Sequence, residues 1–251
     1  MKILLVASGK GGTGKSTTTA MLGRSMSRFC KVGLLDLDVT GPNLASMAGV
    51  DSHEGSFDED HFYPMTVDGI EVFSPSFFIP DGVAVSWSGD RRKEIIHELL
   101  LNVKWRERDV LICDSPPGTG DEIVAVLDHA PRIDGAIIVT NATKAALDDA
   151  LRLKGLFTSK RFNEKVRILG AIVNMETFRG SDGQYYPLLT EGLNVEEILD
   201  VPIISRIPFV KPVEASLFDN AAEIVAEMLG VVGAPPADAR EGEVPAKEDS
   251  P

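Results

Sequence analysis

A short apolar run, Ile3-Leu4-Leu5-Val6-Ala7, leads directly into Ser8-Gly9-Lys10-Gly11-Gly12-Thr13-Gly14-Lys15-Ser16-Thr17 and then into a helix-spaced stretch over residues 17–29. This order of strand, glycine loop and helix leaves few architectures open, because the loop must sit at the carboxyl end of a buried strand with a helix pointing its amino end back at it. The spacing is G-x-x-x-x-G-K-[ST]. Glycines let successive backbone N–H groups turn inward around phosphate, Lys15 reaches the outer phosphates, and the Ser16 hydroxyl ligates Mg²⁺. ATP and Mg²⁺ are the expected ligands, with Gly9, Lys10, Gly11, Gly12, Thr13, Gly14, Lys15, Ser16 and Thr17 as the phosphate cradle.

Gly9, Gly11 and Gly14 also spell G-x-G-x-x-G, and Asp36 follows where a dinucleotide fold places its ribose-binding acid. A dinucleotide oxidoreductase is therefore a competing reading. Lys15-Ser16 weighs against it, since a dinucleotide pyrophosphate is held by backbone and helix dipole and needs neither a lysine nor a magnesium hydroxyl there.

Similar apolar runs recur at residues 32–37, 70–73, 110–113, 136–139, 168–173 and 203–207, separated by helix-spaced stretches such as 92–101, 122–127 and 144–157. The alternation predicts an α/β fold, a mainly parallel sheet with helices on both faces, occupying residues 1–233. Residues 234–251, rich in Pro, Ala and acids, read as a disordered tail. The acidic stretch 51–64, with His53 and His61, reads as a solvated loop rather than a metal site.

A net charge of −13 opposes nucleic-acid binding, which draws its affinity from clustered cations. No segment reads as a signal peptide or membrane span, and the two cysteines, Cys30 and Cys113, form neither a disulfide framework nor a thiolate metal site. A cytoplasmic protein with no nucleic-acid or membrane partner is expected.

Three acids carry the remaining chemistry. Asp36 and Asp38 end the second apolar run, and strand alternation predicts that both face the phosphates. Such a pair suits water-mediated magnesium binding and orientation of the attacking water; the competing reading of either residue is a cap on the following turn. Asp114 closes the run Val110-Leu111-Ile112-Cys113 ahead of Ser115-Pro116-Pro117-Gly118-Thr119-Gly120-Asp121, which has the form of a Walker B element followed by a stiff turn. The expected metal set is Ser16, Asp36, Asp38 and Asp114.

The second lysine inside the loop, Lys10, makes this segment resemble the deviant Walker A of the MinD, ParA and Mrp ATPases. Within that group, Asp36-Leu37-Asp38-Val39-Thr40-Gly41-Pro42, Ala84-Val85-Ser86-Trp87-Ser88-Gly89 and the stretch 114–121 resemble the Mrp-type iron-sulfur cluster carriers. The likeness runs over residues 1–224. It implies an ATP-sandwiched homodimer, or a mixed dimer with a related ATPase, in which Lys10 acts across the interface and Lys15 and Asp38 complete the catalytic set. It further implies that Asn174 reads the adenine edge and that Ile207-Pro208-Phe209 lines the base. Physically, a second cation near the γ-phosphate offsets charge in the transition state as an arginine finger does.

Mrp-type carriers place Cys-x-x-Cys shortly after the Asn-Met pair, whereas this chain has Gly180 and Gly183 there. Glycine preserves the turn but supplies no soft ligand, so an iron-sulfur cluster held in the family's manner is not expected. The expected function is an ATPase switch acting through a client protein in cluster assembly, with a MinD/ParA-like positioning switch as the alternative. Phe73, Phe77, Phe78 and Ile79, near Trp87, are either core or a client surface.

Overall fold

A computed structural model describes residues 1–50, 55–79, 86–188 and 192–233. The 234–251 tail, His53 and the Ala84-Val85 pair lie outside the described residues. In chain order the strands are β1 (Lys2–Ala7), β2 (Val32–Asp36), β3 (Ser56–Phe57), β4 (Phe62–Tyr63), β5 (Met65–Val67), β6 (Ile70–Phe73), β7 (Val110–Asp114), β8 (Ile133–Thr140), β9 (Val166–Arg179), β10 (Tyr185–Pro187) and β11 (Ile203–Phe209). The helices are α1 (Lys15–Met26), α2 (Leu44–Met47), α3 (Gly89–Asn102), α4 (Asp121–His129), α5 (Lys144–Phe157), α6 (Val195–Leu199) and α7 (Asp219–Leu229).

Nine strands form one sheet in the order β10-β9-β8-β1-β7-β2-β6-β5, with β11 pairing β9 on its other side. Pairing is parallel except at the two margins, where β5 runs against β6 and β10 against β9. Every residue of β2 and β7 is buried. Because successive side chains of a strand point to opposite faces, unbroken burial means that both faces of the sheet are covered. The cover comes from packed helix groups: α1 with α2 and α7, α3 with α4, and α5 with α6.

The predicted α/β plan is the observed one, with two local departures. The 51–64 stretch is not simply a loop, since Ser56 and Phe57 pair antiparallel with Tyr63 and Phe62 in a small separate hairpin. The aromatic group divides: Phe73 and Phe77 are fully buried, while Phe78, next in sequence, is 40% exposed. Consecutive residues of the short 3-10 turn Pro75–Phe78 are rotated by about a third of a turn, so one phenylalanine joins the core and its neighbour the surface.

The topology fixes where chemistry collects. Strands β1, β7 and β2 are adjacent and parallel, with Val6 level with Asp114 and Asp114 level with Asp36. Their carboxyl ends therefore bring the glycine loop and two of the three predicted acids into one place.

Candidate functional site

The loop between β1 and α1 is shaped by its glycines. Gly12 and Gly14 adopt φ of +80° and +84°, a left-handed conformation that favours glycine. A Cβ on Gly9 would lie 2.3 Å from the Asp149 carbonyl, so glycine there lets the loop close onto the α5 backbone. A Cβ on Gly11 or Gly12 would meet nothing within 4 Å, which leaves the concave side of the loop open. The backbone amides of Gly11 to Gly14 make no hydrogen bond among the described residues.

Three contacts hold this shape from behind. The Gly118 amide donates to the Ser8 carbonyl at 2.9 Å, the Ser8 hydroxyl donates to the Lys10 carbonyl at 3.0 Å, and Asn174 Nδ2 donates to the Thr13 carbonyl at 2.9 Å. Asn174 is 7% exposed, and here it braces the loop. Pro208, expected near the base, is half-buried on β11 beside Ile207, which pairs with Asn174 across β9. It does not line the cavity formed by the loop.

That cavity, about 370 Å³, is bounded by Gly11, Gly12, Gly14, Lys15, Ser16 and Thr17 on one side and by Asp38, Asn43, Met47 and Pro117 on the other. Lys15 is buried, its ammonium 2.8 Å from Asp114 Oδ1. A lysine ammonium has three donors, so this ion pair leaves capacity for further acceptors, and the buried Thr13 hydroxyl has no partner among the described residues. Buried donors around an open glycine loop suit an anionic ligand rich in acceptor oxygens, which is what a nucleoside triphosphate presents.

Asp114 is fully buried and collects the Ser16 hydroxyl at 2.6 Å on Oδ2 and the Thr19 hydroxyl at 2.9 Å on Oδ1. Ser16 thus links the carboxylate to the cavity. Asp36 behaves otherwise than alternation predicts. The strand stops at Asp36, so the period that would pair it with Asp38 ends there. Its carboxylate is enclosed, accepting from the Ser74 hydroxyl at 2.8 Å, the Leu44 amide at 3.1 Å and the Asp38 amide at 3.1 Å. Burial, reinforced by the Asp114 charge, pushes the Asp36 carboxyl up to about 7.

Asp38 is half-buried on the cavity wall, and its Oδ1 accepts from the Thr40 hydroxyl and the Gly41 amide. The carboxylate therefore caps its own turn with one oxygen and keeps the other free of partners among the described residues. Lys10 is half-buried, and its ammonium has no ion pair or hydrogen bond among the described residues. No three carboxylates, imidazoles or thiols converge as a metal cage among the described residues. An all-protein cage is not needed for Mg²⁺, which usually takes one or two protein ligands with phosphate and water.

The sequence reading missed Thr19 and Ser74, the hydroxyls that hold the two buried acids, as well as Asn43 and Met47. A usable signal existed for Ser74, which closes the apolar run of β6 as Asp114 closes that of β7.

Gly180 and Gly183, where the resemblance would place Cys-x-x-Cys, form the turn between β9 and β10. The Gly180 amide donates to the Gln184 carbonyl, and Gly183 has φ of +81°. A Cβ on Gly180 would lie 2.7 Å from Asp182 Oδ1 and 2.8 Å from the Tyr186 ring, so the turn is packed around the missing side chain. Both cysteines lie elsewhere and are buried. Burial, with the Asp109 charge at Cys30 and the Asp114 charge at Cys113, pushes each thiol up to about 12.

Comparison with known proteins agrees with this geometry. A family model described as ParA, NUBPL iron-transfer P-loop NTPase, matches residues 1–231. An iron-sulfur cluster carrier protein of Rickettsia felis is 37% identical over 208 residues, covering 82% of this chain and 63% of its own length, so the chain spans under two thirds of that relative. Among solved structures, a nucleotide-binding protein of Archaeoglobus fulgidus in complex with ADP superposes with a TM-score of 0.67 at 28% identity, covering 90% of this chain and 87% of that one. The septum site-determining protein MinD of Pyrococcus horikoshii, complexed with Mg-ADP, has a TM-score of 0.63 at 24% identity, covering 92% of this chain and 98% of that one, and shares the fold.

Proposed function

This chain belongs to the ParA family of NUBPL iron-transfer P-loop NTPases, and from that premise we propose that it is a Mg²⁺-dependent, ATP-hydrolysing dimeric switch that serves iron-sulfur cluster assembly through a partner protein. The observation that carries the reading is the group of Lys15, Ser16 and Asp114, with Lys15 paired to the buried Asp114 and the buried Thr13 hydroxyl unpartnered among the described residues, beside an open glycine loop. The loop amides and Lys15 bind the phosphates, and Lys15 neutralises charge on the outer ones. Ser16, Asp114 and Asp38 would hold Mg²⁺, which would supply charge neutralisation. Asp36 sits behind them as a structural acid.

Hydrolysis of this kind depends on positioning and electrostatics. Asp38 orients the attacking water with its free oxygen. Asn174 keeps the loop in its binding shape and turns toward the base once the Thr13 carbonyl releases it. Lys10, whose ammonium has no ion pair or hydrogen bond among the described residues, completes the site of a second copy, so that nucleotide and dimer form together. A cytoplasmic location belongs to the same reading, and no helix among the described residues is long and apolar enough to cross a membrane.

Asp38→Ala tests the switch. The variant is expected to bind ATP with near-normal affinity and to hydrolyse it at least ~10²-fold more slowly. Undiminished turnover would remove Asp38 from the site. The cluster itself is treated as cargo. Anaerobic reconstitution with iron and sulfide is expected to leave the protein without a stable cluster, because Gly180 and Gly183 offer no thiolate and Cys30 and Cys113 are buried. A cluster stoichiometric with the dimer would overturn that part of the reading.

A further inference from the structure

Beside the nucleotide site lies a second cavity, about 410 Å³, whose walls are apolar: Val39, Phe62, Phe73, Phe78, Trp87 and Leu99 contribute most of them. It has the size of a ligand pocket, and the charged side chains that line it are Arg91 and Glu98, 3.6 Å apart at its edge. An aromatic path leads into it from the surface. The Phe57 ring, 64% exposed, meets Phe78 edge-on at 5.6 Å, and Phe78 in turn lies 5.9 Å from Phe62 and 6.0 Å from Phe73.

The mouth of this cavity is acidic. Glu98 lines it, Glu94 sits one turn earlier on α3, and Asp58, Glu59 and Asp60 form the tip of the hairpin that supplies Phe57 and Phe62. The Tyr63 hydroxyl and the Asp60 amide hold the Asp58 carboxyl down near 2, so it is charged at any physiological pH. Two cations accompany these acids. Arg91 lines the cavity and is already paired with Glu94 at 2.9 Å and Glu98 at 3.6 Å, and Lys104 bonds the hairpin through its backbone. The balance is negative around an apolar hole.

We propose that this cavity docks a basic, amphipathic segment of a partner protein, seated by one large apolar side chain among Phe62, Phe78 and Trp87 and flanked by lysines or arginines facing Glu94, Glu98 and the Asp58–Asp60 tip. Charge complementarity selects the partner, and desolvation of the anchor supplies most of the affinity. The position matters as well. Val39 follows Asp38 directly, and α3 is tied to α4 by Arg92–Glu122 at 2.6 Å and Lys93–Asp121 at 3.0 Å, just past the Pro116-Pro117-Gly118 turn. A segment seated here touches elements that begin at the nucleotide. This deepens the reading of a switch that works through a partner, but the docking contact itself requires no nucleotide.

The test uses the full chain without nucleotide and a fluorescent synthetic peptide of about 14 residues, built from lysine and leucine at helical spacing with one tryptophan. Two control peptides replace either the apolar residues with serine or the lysines with glutamate. The basic amphipathic peptide is expected to bind at least about tenfold more tightly than either control. Phe78→Ser, and separately Glu94→Lys with Glu98→Lys, should each weaken it about tenfold while ATP binding and melting temperature hold. Glu196→Lys with Glu197→Lys, on distant α6, should leave the affinity unchanged. Equal binding of the serine peptide, unchanged affinity in both cavity variants, or equal weakening by the α6 variant would overturn the proposal. Loss of ATP turnover would bear only on the switch.

Discussion

Replacing Lys15 with methionine will abolish nucleotide binding and will also destabilise the nucleotide-free protein by about 3 kcal/mol, because it strips the cation from a buried acid. Lys15 and Asp114 are 6% and 0% exposed in their side chains, and Asp36, level with Asp114 on the neighbouring strand, is also fully buried. Without Lys15 two carboxylates remain side by side in the interior. For a chain of this size the loss corresponds to roughly 6–12 °C in melting temperature.

The deficit will depend on pH in a definite direction. Burial first, and the Asp114 charge second, already raise the Asp36 carboxyl from 3.8 to about 7, so the native state binds a proton more tightly than the unfolded chain between those values. Native stability therefore falls as pH rises through that window. Lys15 is one of the groups opposing the rise. Its removal moves the window higher, and the gap between variant and wild type is expected to be small near about pH 5 and largest near about pH 8 in urea titrations. Adding Asp114→Asn should recover part of the stability and none of the binding, a non-additivity that marks a shared network. Equal stability of Lys15→Met and wild type at both pH values would show that the pairing contributes nothing in the folded state.

The sequence made the phosphate loop legible because backbone geometry there is written in residue types that few other conformations want. Gly12 and Gly14 sit at positive φ, and Gly9 sits where a side chain would strike α5. The central strands were equally plain, since burial on both faces requires unbroken apolar runs. The margins were not. Strand β9 continues to Arg179 through Glu176, Thr177 and Phe178, where consecutive residues are half-buried or exposed, so both faces meet solvent and polarity says little about strand or loop. The acids show the same limit at the level of the site. Alternation put Asp36 and Asp38 on one face, but β2 ends at Asp36, whose carboxylate turns inward onto Ser74 while Asp38 lies on the cavity wall. Hydroxyls such as Thr19 and Ser74 carry no signature of their own. They become visible only when the acid they hold is seen to be buried.

Lys10→Ala should separate catalysis from binding and stability. The Lys10 ammonium has no partner among the described residues, and the Ser8 hydroxyl fixes the lysine's carbonyl, so removal of the side chain takes away no ion pair or hydrogen bond among them. Stability is expected to stay within about 0.5 kcal/mol of wild type, as for surface substitutions generally. Turnover is expected to fall by about 10³, the range in which a trans-acting cation at a γ-phosphate operates. Subunit mixing then tells whether the lysine reaches across. When Lys10→Ala and Asp38→Ala chains, each inactive alone, are combined, a mixed dimer holds one centre with an intact Asp38 and a lysine lent by its neighbour. An equimolar mixture should recover roughly a quarter of wild-type turnover if subunits exchange freely. If Lys10 serves its own nucleotide, every centre in the mixture lacks one group and no activity returns. Recovery on mixing therefore requires two copies that share their active centres.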